Sequence, residues 1–126
     1  MLEVCADEDE RRYGDTRLEM ASQDGRSDVA GRVLAYYAVT VNEERRADGA
    51  TPLYMACQAG HTEAVGLLLA CDGVDVNKAM TDDGATTLLI ACQEGHTKVV
   101  GLLLACDGID VNKARTDDGA TPLFAA

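Results

Sequence analysis

Residues 48–82 read DGATPLYMACQAGHTEAVGLLLACDGVDVNKAMTD, and residues 83–117 read DGATTLLIACQEGHTKVVGLLLACDGIDVNKARTD. The two stretches are identical at 27 of 35 positions, and a further copy begins at Asp118 with DGATPLFAA. A fixed period of this length is typical of repeat proteins, in which each supersecondary unit stacks on the next. We therefore interpret the chain as a row of 35-residue units.

An earlier, degenerate copy is visible when the same period is applied backwards from residue 48. Gly14, Leu18 and Gly25 each lie 35 residues before a residue of the same type. The chain then divides into five segments, which are an acidic flexible leader (1–12), a degenerate capping repeat (13–47), two full repeats (48–82 and 83–117) and the truncated start of a further repeat (118–126).

Each full unit carries the start and stop signals of two short helices. Asp-Gly marks a tight turn, Thr51 is an N-cap residue, and Pro52 suits the first helical position. Gly60 ends the first helix in the left-handed conformation, and Thr62 is expected to cap the second helix. Helices this short are marginal in water by themselves, so stacking on neighbouring units is the only source of a core.

The stretch DGATPLYMACQAGHTEAVGLLLACDGVDVN resembles an ankyrin repeat in its elements D-G-x-T-P-L, A-x-x-x-G-H, V-x-L-L-L and D-V-N. The resemblance covers roughly residues 13–126. It implies an all-α fold, an ankyrin-repeat solenoid of stacked helix-turn-helix units joined by β-hairpin-like loops. The usual period is about 33 residues, so the loops here should be slightly longer.

Several positions depart from that pattern. Tyr54, Leu89 and Phe124 replace the histidine that usually follows T-P-L, and Thr87 replaces the proline in one unit. A glycine recurs in the middle of the second helix of each unit, where glycine costs up to about 1 kcal/mol relative to alanine. We expect alanine at Gly66 or Gly101 to stabilise the protein.

The two ends of the row also differ from its middle. Arg17, Arg26 and Arg32 replace apolar or histidine residues of the later units, as expected for a terminal unit with a polar outer face. At the other end the sequence stops within the first helix of a further unit. We expect a fragment of a longer array, with a C-terminal unit that frays.

Composition limits the cellular location and the classes of binding partner that can be expected. The net charge of −11 disfavours nucleic acid and anionic membranes, which need a basic surface. The chain has no apolar run of signal-peptide or membrane-spanning length, and its odd number of cysteines, five, is unlike a secreted disulfide framework. These features predict a soluble cytoplasmic protein, with the nucleus as the alternative.

The nearest approach to a chemical site is Cys92, Glu94 and His96. A zinc site needs about four ligands, and a glycine interrupts the helix between this cysteine and histidine. We predict no metal, cofactor or catalytic site: the cysteines fill tight core positions and the histidines hold the loop between helices. Sequence spacing leaves a Cys57–Cys71 disulfide open, but a reducing cytosol disfavours it. Asn77 and its repeat are expected to bond within their loops.

The ankyrin resemblance implies that a partner protein binds along the hairpin tips and the exposed side of the first helices. Carried onto this sequence, the partner-binding positions are Arg46, Asp48, Ala50, Tyr54, Gln58, Ala59, Met80, Asp83, Ala85, Leu89, Gln93, Glu94, Arg115 and Asp118. The leading hypothesis is a non-enzymatic protein–protein interaction scaffold. The alternatives are the recognition arm of a larger enzyme or channel, and a redox or metal protein that uses the repeated cysteines.

Overall fold

The computed structural model describes residues 8–36, 49–71, 73–81, 83–113 and 119–122. This part of the chain contains helices and no strand. The six helices are α1 (Glu8–Asp24), α2 (Ser27–Tyr36), α3 (Pro52–Ala59), α4 (Thr62–Leu69), α5 (Thr87–Gln93) and α6 (Thr97–Leu104). The predicted all-α class is confirmed.

The helices form two rows. The first helices of successive units, α1, α3 and α5, pack side by side, and the second helices, α2, α4 and α6, pack side by side next to them. Each first helix also packs on the second helix of its own unit. The arrangement is the stack of helix pairs that the repeat period predicts.

Local signals set the ends of the helices much as predicted. Thr51 Oγ1 accepts a hydrogen bond from the Tyr54 amide at 3.2 Å, and the backbone of Gly60 is left-handed at φ 78°. The prediction for Thr62 is wrong, because Thr62 is the first residue of α4 and His61 holds the N-cap position, where its side chain forms no capping hydrogen bond.

The first unit departs from the predicted boundaries. Residues 8–12, assigned to a flexible leader, are helical and belong to α1. Gly14 lies inside that helix, whereas its repeat equivalents Gly49 and Gly84 lie outside the helices and have positive φ. The helix that begins at Glu8 therefore continues through the position at which the later units leave the helical conformation.

The core lies between the two rows and consists of aliphatic and small side chains. Leu18, Leu53 and Leu88 recur at one repeat position and are buried. Between the units, the Met80 carbonyl accepts from the Gly84 amide at 3.0 Å, and the Ala85 carbonyl accepts from the Met80 amide at 2.9 Å. These bonds close a hairpin-like loop. None of the described helices is long and apolar enough to cross a membrane.

Candidate partner-binding surface

The histidines join one unit to the next. His61 Nε2 donates to the Gln23 carbonyl at 3.0 Å, and His96 Nε2 donates to the Gln58 carbonyl at 3.0 Å. Each carbonyl belongs to the last turn of the preceding first helix. The histidines, which were predicted to hold the loop between helices, therefore bond one unit to the next. These bonds fix the spacing between the C-terminal ends of successive first helices.

A glycine makes room for each of these histidine rings. A Cβ added to Gly25 would lie 2.5 Å from His61 Nδ1, and one added to Gly60 would lie 2.6 Å from His96 Nδ1. Both glycines also have positive φ, near 75° and 78°, which L side chains rarely adopt. Glycine is thus required at the helix end for two independent reasons.

The cysteines are packing residues in this structure. Cys57, Cys71, Cys92 and Cys106 are all free thiols, so the Cys57–Cys71 disulfide does not form. Burial raises the pKa of the Cys57 thiol, and more weakly that of the Cys92 thiol. A raised pKa keeps a thiol protonated at neutral pH, which makes it a poor nucleophile and a poor metal ligand.

Cys92 and His96 also fail to form the start of a metal site. The ring of His96 is engaged with the preceding unit, and Glu94 is exposed. Among the described residues, no group of three or more His, Cys, Asp or Glu side chains could hold a metal ion. Cys5 lies outside those residues.

The side chain of Asn77 forms a second link between units, while its backbone amide donates within its own loop to Asp75 Oδ1 at 3.0 Å. Its Nδ2 donates to the Gly108 carbonyl at 2.8 Å, and its Oδ1 accepts from the Asp110 amide at 2.7 Å. The Lys113 Nζ donates to the Asn77 carbonyl at 3.4 Å. The second and third units are therefore bonded through these loops as well as at the helix ends.

The structure exposes fewer of the predicted partner-binding side chains than expected. Ala50 and Ala85 are 2% and 0% exposed, and Tyr54 and Leu89 are 5% and 0% exposed. These four side chains lie in the core between adjacent units and offer a partner no surface, so they are removed from the set. Arg46, Asp48, Arg115 and Asp118 lie outside the described residues.

The remaining positions separate into two places. Met80 and Asp83 are half-buried at the hairpin-like loop, where Asp83 Oδ1 accepts from the Ala85 amide at 2.9 Å. In α3 and α5 the exposed side chains lie at the C-terminal ends, at the predicted positions Gln58, Ala59, Gln93 and the adjoining Glu94. The full set, which we name the helix-end row, also includes two exposed residues of the first unit and comprises Gln23, Asp24, Gln58, Ala59, Gln93 and Glu94.

Gln23 and Asp24 were missed although the repeat period points to them. They lie 35 and 70 residues before the later members of the row. The first unit was treated as a cap, and its surface was therefore left out of the predicted site. The bond from His61 to the Gln23 carbonyl shows that this unit is attached to the second as the second is to the third.

Comparison with known proteins agrees with this architecture. A family model described as ankyrin repeats, three copies, matches residues 2–80, 18–115 and 73–126. No curated protein matches the chain. Ankyrin repeats are generally protein–protein interaction modules. Because the matched segments cover nearly all of the sequence and the helix pairs repeat as the family requires, the chain belongs to the ankyrin-repeat family.

Proposed function

We propose that this protein is a non-enzymatic scaffold that binds a partner protein along its hairpin and first-helix face. The helix-end row is the observation that supports this most directly. It places exposed polar side chains at equivalent points of three successive units, and a rigid display of this kind avoids the entropy cost of ordering a surface on binding.

Hydrogen bonds between neighbouring units make the helix-end row rigid. The main-chain carbonyls of Gln23 and Gln58 accept hydrogen bonds from the histidine of the next unit. The backbone that carries the partner-facing side chains is therefore held in place. The side chains at the same positions project from helix ends and not from long loops. Sites built on helices hold their geometry more accurately than sites built on loops.

The chemistry of the described residues argues against the enzymatic and redox alternatives. Burial raises the pKa of the Cys57 and Cys92 thiols, so neither is activated. The net charge of −11 opposes binding to nucleic acid or to anionic membranes. The proposal includes a cytoplasmic or nuclear location and no metal or cofactor. As the recognition arm of a larger enzyme or channel, the chain would use the same surface.

A site-specific photo-crosslinker tests the proposal. We would place a photoreactive residue at Gln58 in the full chain, and at exposed Lys98 on the second helix as the matched control. Irradiation in a cell extract should give a defined protein adduct from position 58, competed by excess unlabelled chain, and none from position 98. Equal labelling at both positions, or adducts only at position 98, would contradict the proposed face.

A further inference from the structure

We propose that the helix-end row binds an extended basic peptide in the polyproline II conformation, with two cationic side chains six residues apart. This inference rests on the protein-binding role proposed above and names the class of partner segment.

The spacing comes from the packing of the first helices. α1 contacts α3, and α3 contacts α5, and packed helices lie about 8–10 Å apart. Gln23, Gln58 and Gln93 occupy the same position in each unit, so glutamine recurs along the row at about this interval. Asp24 and Glu94 are two units apart, a separation of about 16–20 Å by the same packing distance.

A polyproline II peptide matches this interval. It rises about 3.1 Å per residue with three residues per turn, so every third side chain points the same way after about 9.3 Å. A flat β-strand covers a similar distance in three residues, but residues i and i+3 point to opposite faces. Six residues of polyproline II span about 19 Å, which reaches from Asp24 to Glu94.

The glutamines suit the backbone of such a peptide. A polyproline II chain makes no internal hydrogen bonds, so its carbonyl and amide groups need partners. A glutamine amide supplies both a donor and an acceptor. An α-helical partner satisfies its own backbone and needs an apolar stripe to dock on, and the exposed row has only Ala59 as an apolar side chain.

The charges set the position of the cations. The first and third units carry the exposed carboxylates of Asp24 and Glu94, and the middle unit has the small Ala59. Within the described residues neither carboxylate forms an ion pair, and Arg26, two residues after Asp24, lies 3.8 Å from Asp28 instead. A peptide with two lysine or arginine residues six positions apart would place one cation on each carboxylate. The peptide backbone between the two cations would contact the middle unit.

The test uses fluorescein-labelled, proline-rich synthetic peptides of 13 residues and the full chain, with binding followed by fluorescence anisotropy. One peptide carries lysines six residues apart, and a second of identical composition carries them adjacent. Exposed ion pairs contribute up to about 1 kcal/mol each, or roughly fivefold in Kd. We expect the adjacent-lysine peptide to bind about fivefold more weakly, since one of its cations has no carboxylate.

Variants of the chain make the test specific. Asp24→Asn and Glu94→Gln should each weaken binding of the six-spaced peptide by roughly threefold to fivefold. Gln58→Ala should weaken it by roughly threefold to tenfold, since one net hydrogen bond contributes about 1 kcal/mol. Asp107→Asn removes the same charge from an exposed residue beyond α6 and should leave Kd unchanged.

Three results would overturn the inference: equal affinity for both peptides, an effect of Asp107→Asn as large as that of Glu94→Gln, or no binding of either peptide. These are distinguishable from failure of the proposed function. If the photoreactive residue at position 58 still captures a protein while the peptides do not bind, the protein-binding role stands and the peptide class is wrong. A helical segment at the crosslinked site of that protein would lead to the same conclusion.

Discussion

The second and third units have nearly the same sequence but different surroundings. In the row of second helices, α4 packs between α2 and α6, whereas among the described helices α6 has a second-helix neighbour, α4, on one side only. Val65 is 0% exposed while the equivalent Val100 is half-buried, and Cys57 and Cys92 differ in the same way. Leu104 is 53% exposed. The comparison shows that a residue's burial in this fold is decided by the following unit as well as by its own.

The largest expected effect is at positions that a unit buries without help from the next one. Leu68 and Leu103 are equivalent and both are 0% exposed. Leu68→Ala and Leu103→Ala should each lower the free energy of unfolding by about 2–5 kcal/mol, through lost burial and the cavity that remains. Denaturant titration followed by circular dichroism measures both. A near-zero effect for Leu103→Ala alone would mean that the third unit is not folded as described.

The next prediction concerns positions that the following unit covers. Val65→Ala removes two methyl groups from a fully buried site and should cost about 2 kcal/mol at roughly 0.8 kcal/mol per methyl, with a cavity contribution added. Val100→Ala, at the half-buried equivalent, should cost less than half as much. The same titration applies to both variants. Equal losses would show that the surroundings of the two units are alike, contrary to the comparison.

Much of this architecture could be predicted because it repeats. The helix starts at Thr51 and Thr86 depend on a threonine hydroxyl bonded three residues along, which is a local signal that needs no tertiary information. The same holds for the glycine that ends α3. The all-α class and the order of the helix pairs therefore followed from the sequence and are confirmed by the structure.

Features that depend on neighbouring units could not be predicted in the same way. The family resemblance places Tyr54 and Leu89 on the partner surface, but in the structure they are 5% and 0% exposed. The helical period does not say which of two packed units covers a side chain. For the same reason the expected bonding of Asn77 within its loop holds for its backbone amide only, whereas its side chain reaches the loop of the following unit.

A third prediction compares one position across all three units. Ser22 occupies the place of Cys57 and Cys92, is 0% exposed, and its Oγ has no hydrogen-bond partner in the part of the chain that the structure describes. A buried polar group without a partner costs about 1–3 kcal/mol, so Ser22→Ala should raise the free energy of unfolding by about 1 kcal/mol.

The reverse substitution is the control for Ser22. Cys57→Ser places a hydroxyl in an equally buried site and should destabilise the protein, while Cys92→Ser, at the half-buried equivalent, should have a smaller effect. Thermal unfolding of the three variants measures the order. A loss of stability in Ser22→Ala would show that the hydroxyl has a favourable role.

The smallest expected effects are at the glycines within the second helices. A Cβ on Gly66 or Gly101 would meet no atom within 4 Å, and one on Gly31 would touch Leu67 Cδ1 at an ordinary 3.9 Å. Alanine has the higher helix propensity, by up to about 1 kcal/mol, so Gly66→Ala and Gly101→Ala should each raise the melting temperature by a few degrees. Gly60→Ala is the opposite control, because the backbone there has positive φ and the His96 ring lies 2.6 Å from the added Cβ. An unchanged or lowered melting temperature for Gly66→Ala would mean that close backbone packing requires glycine on this face.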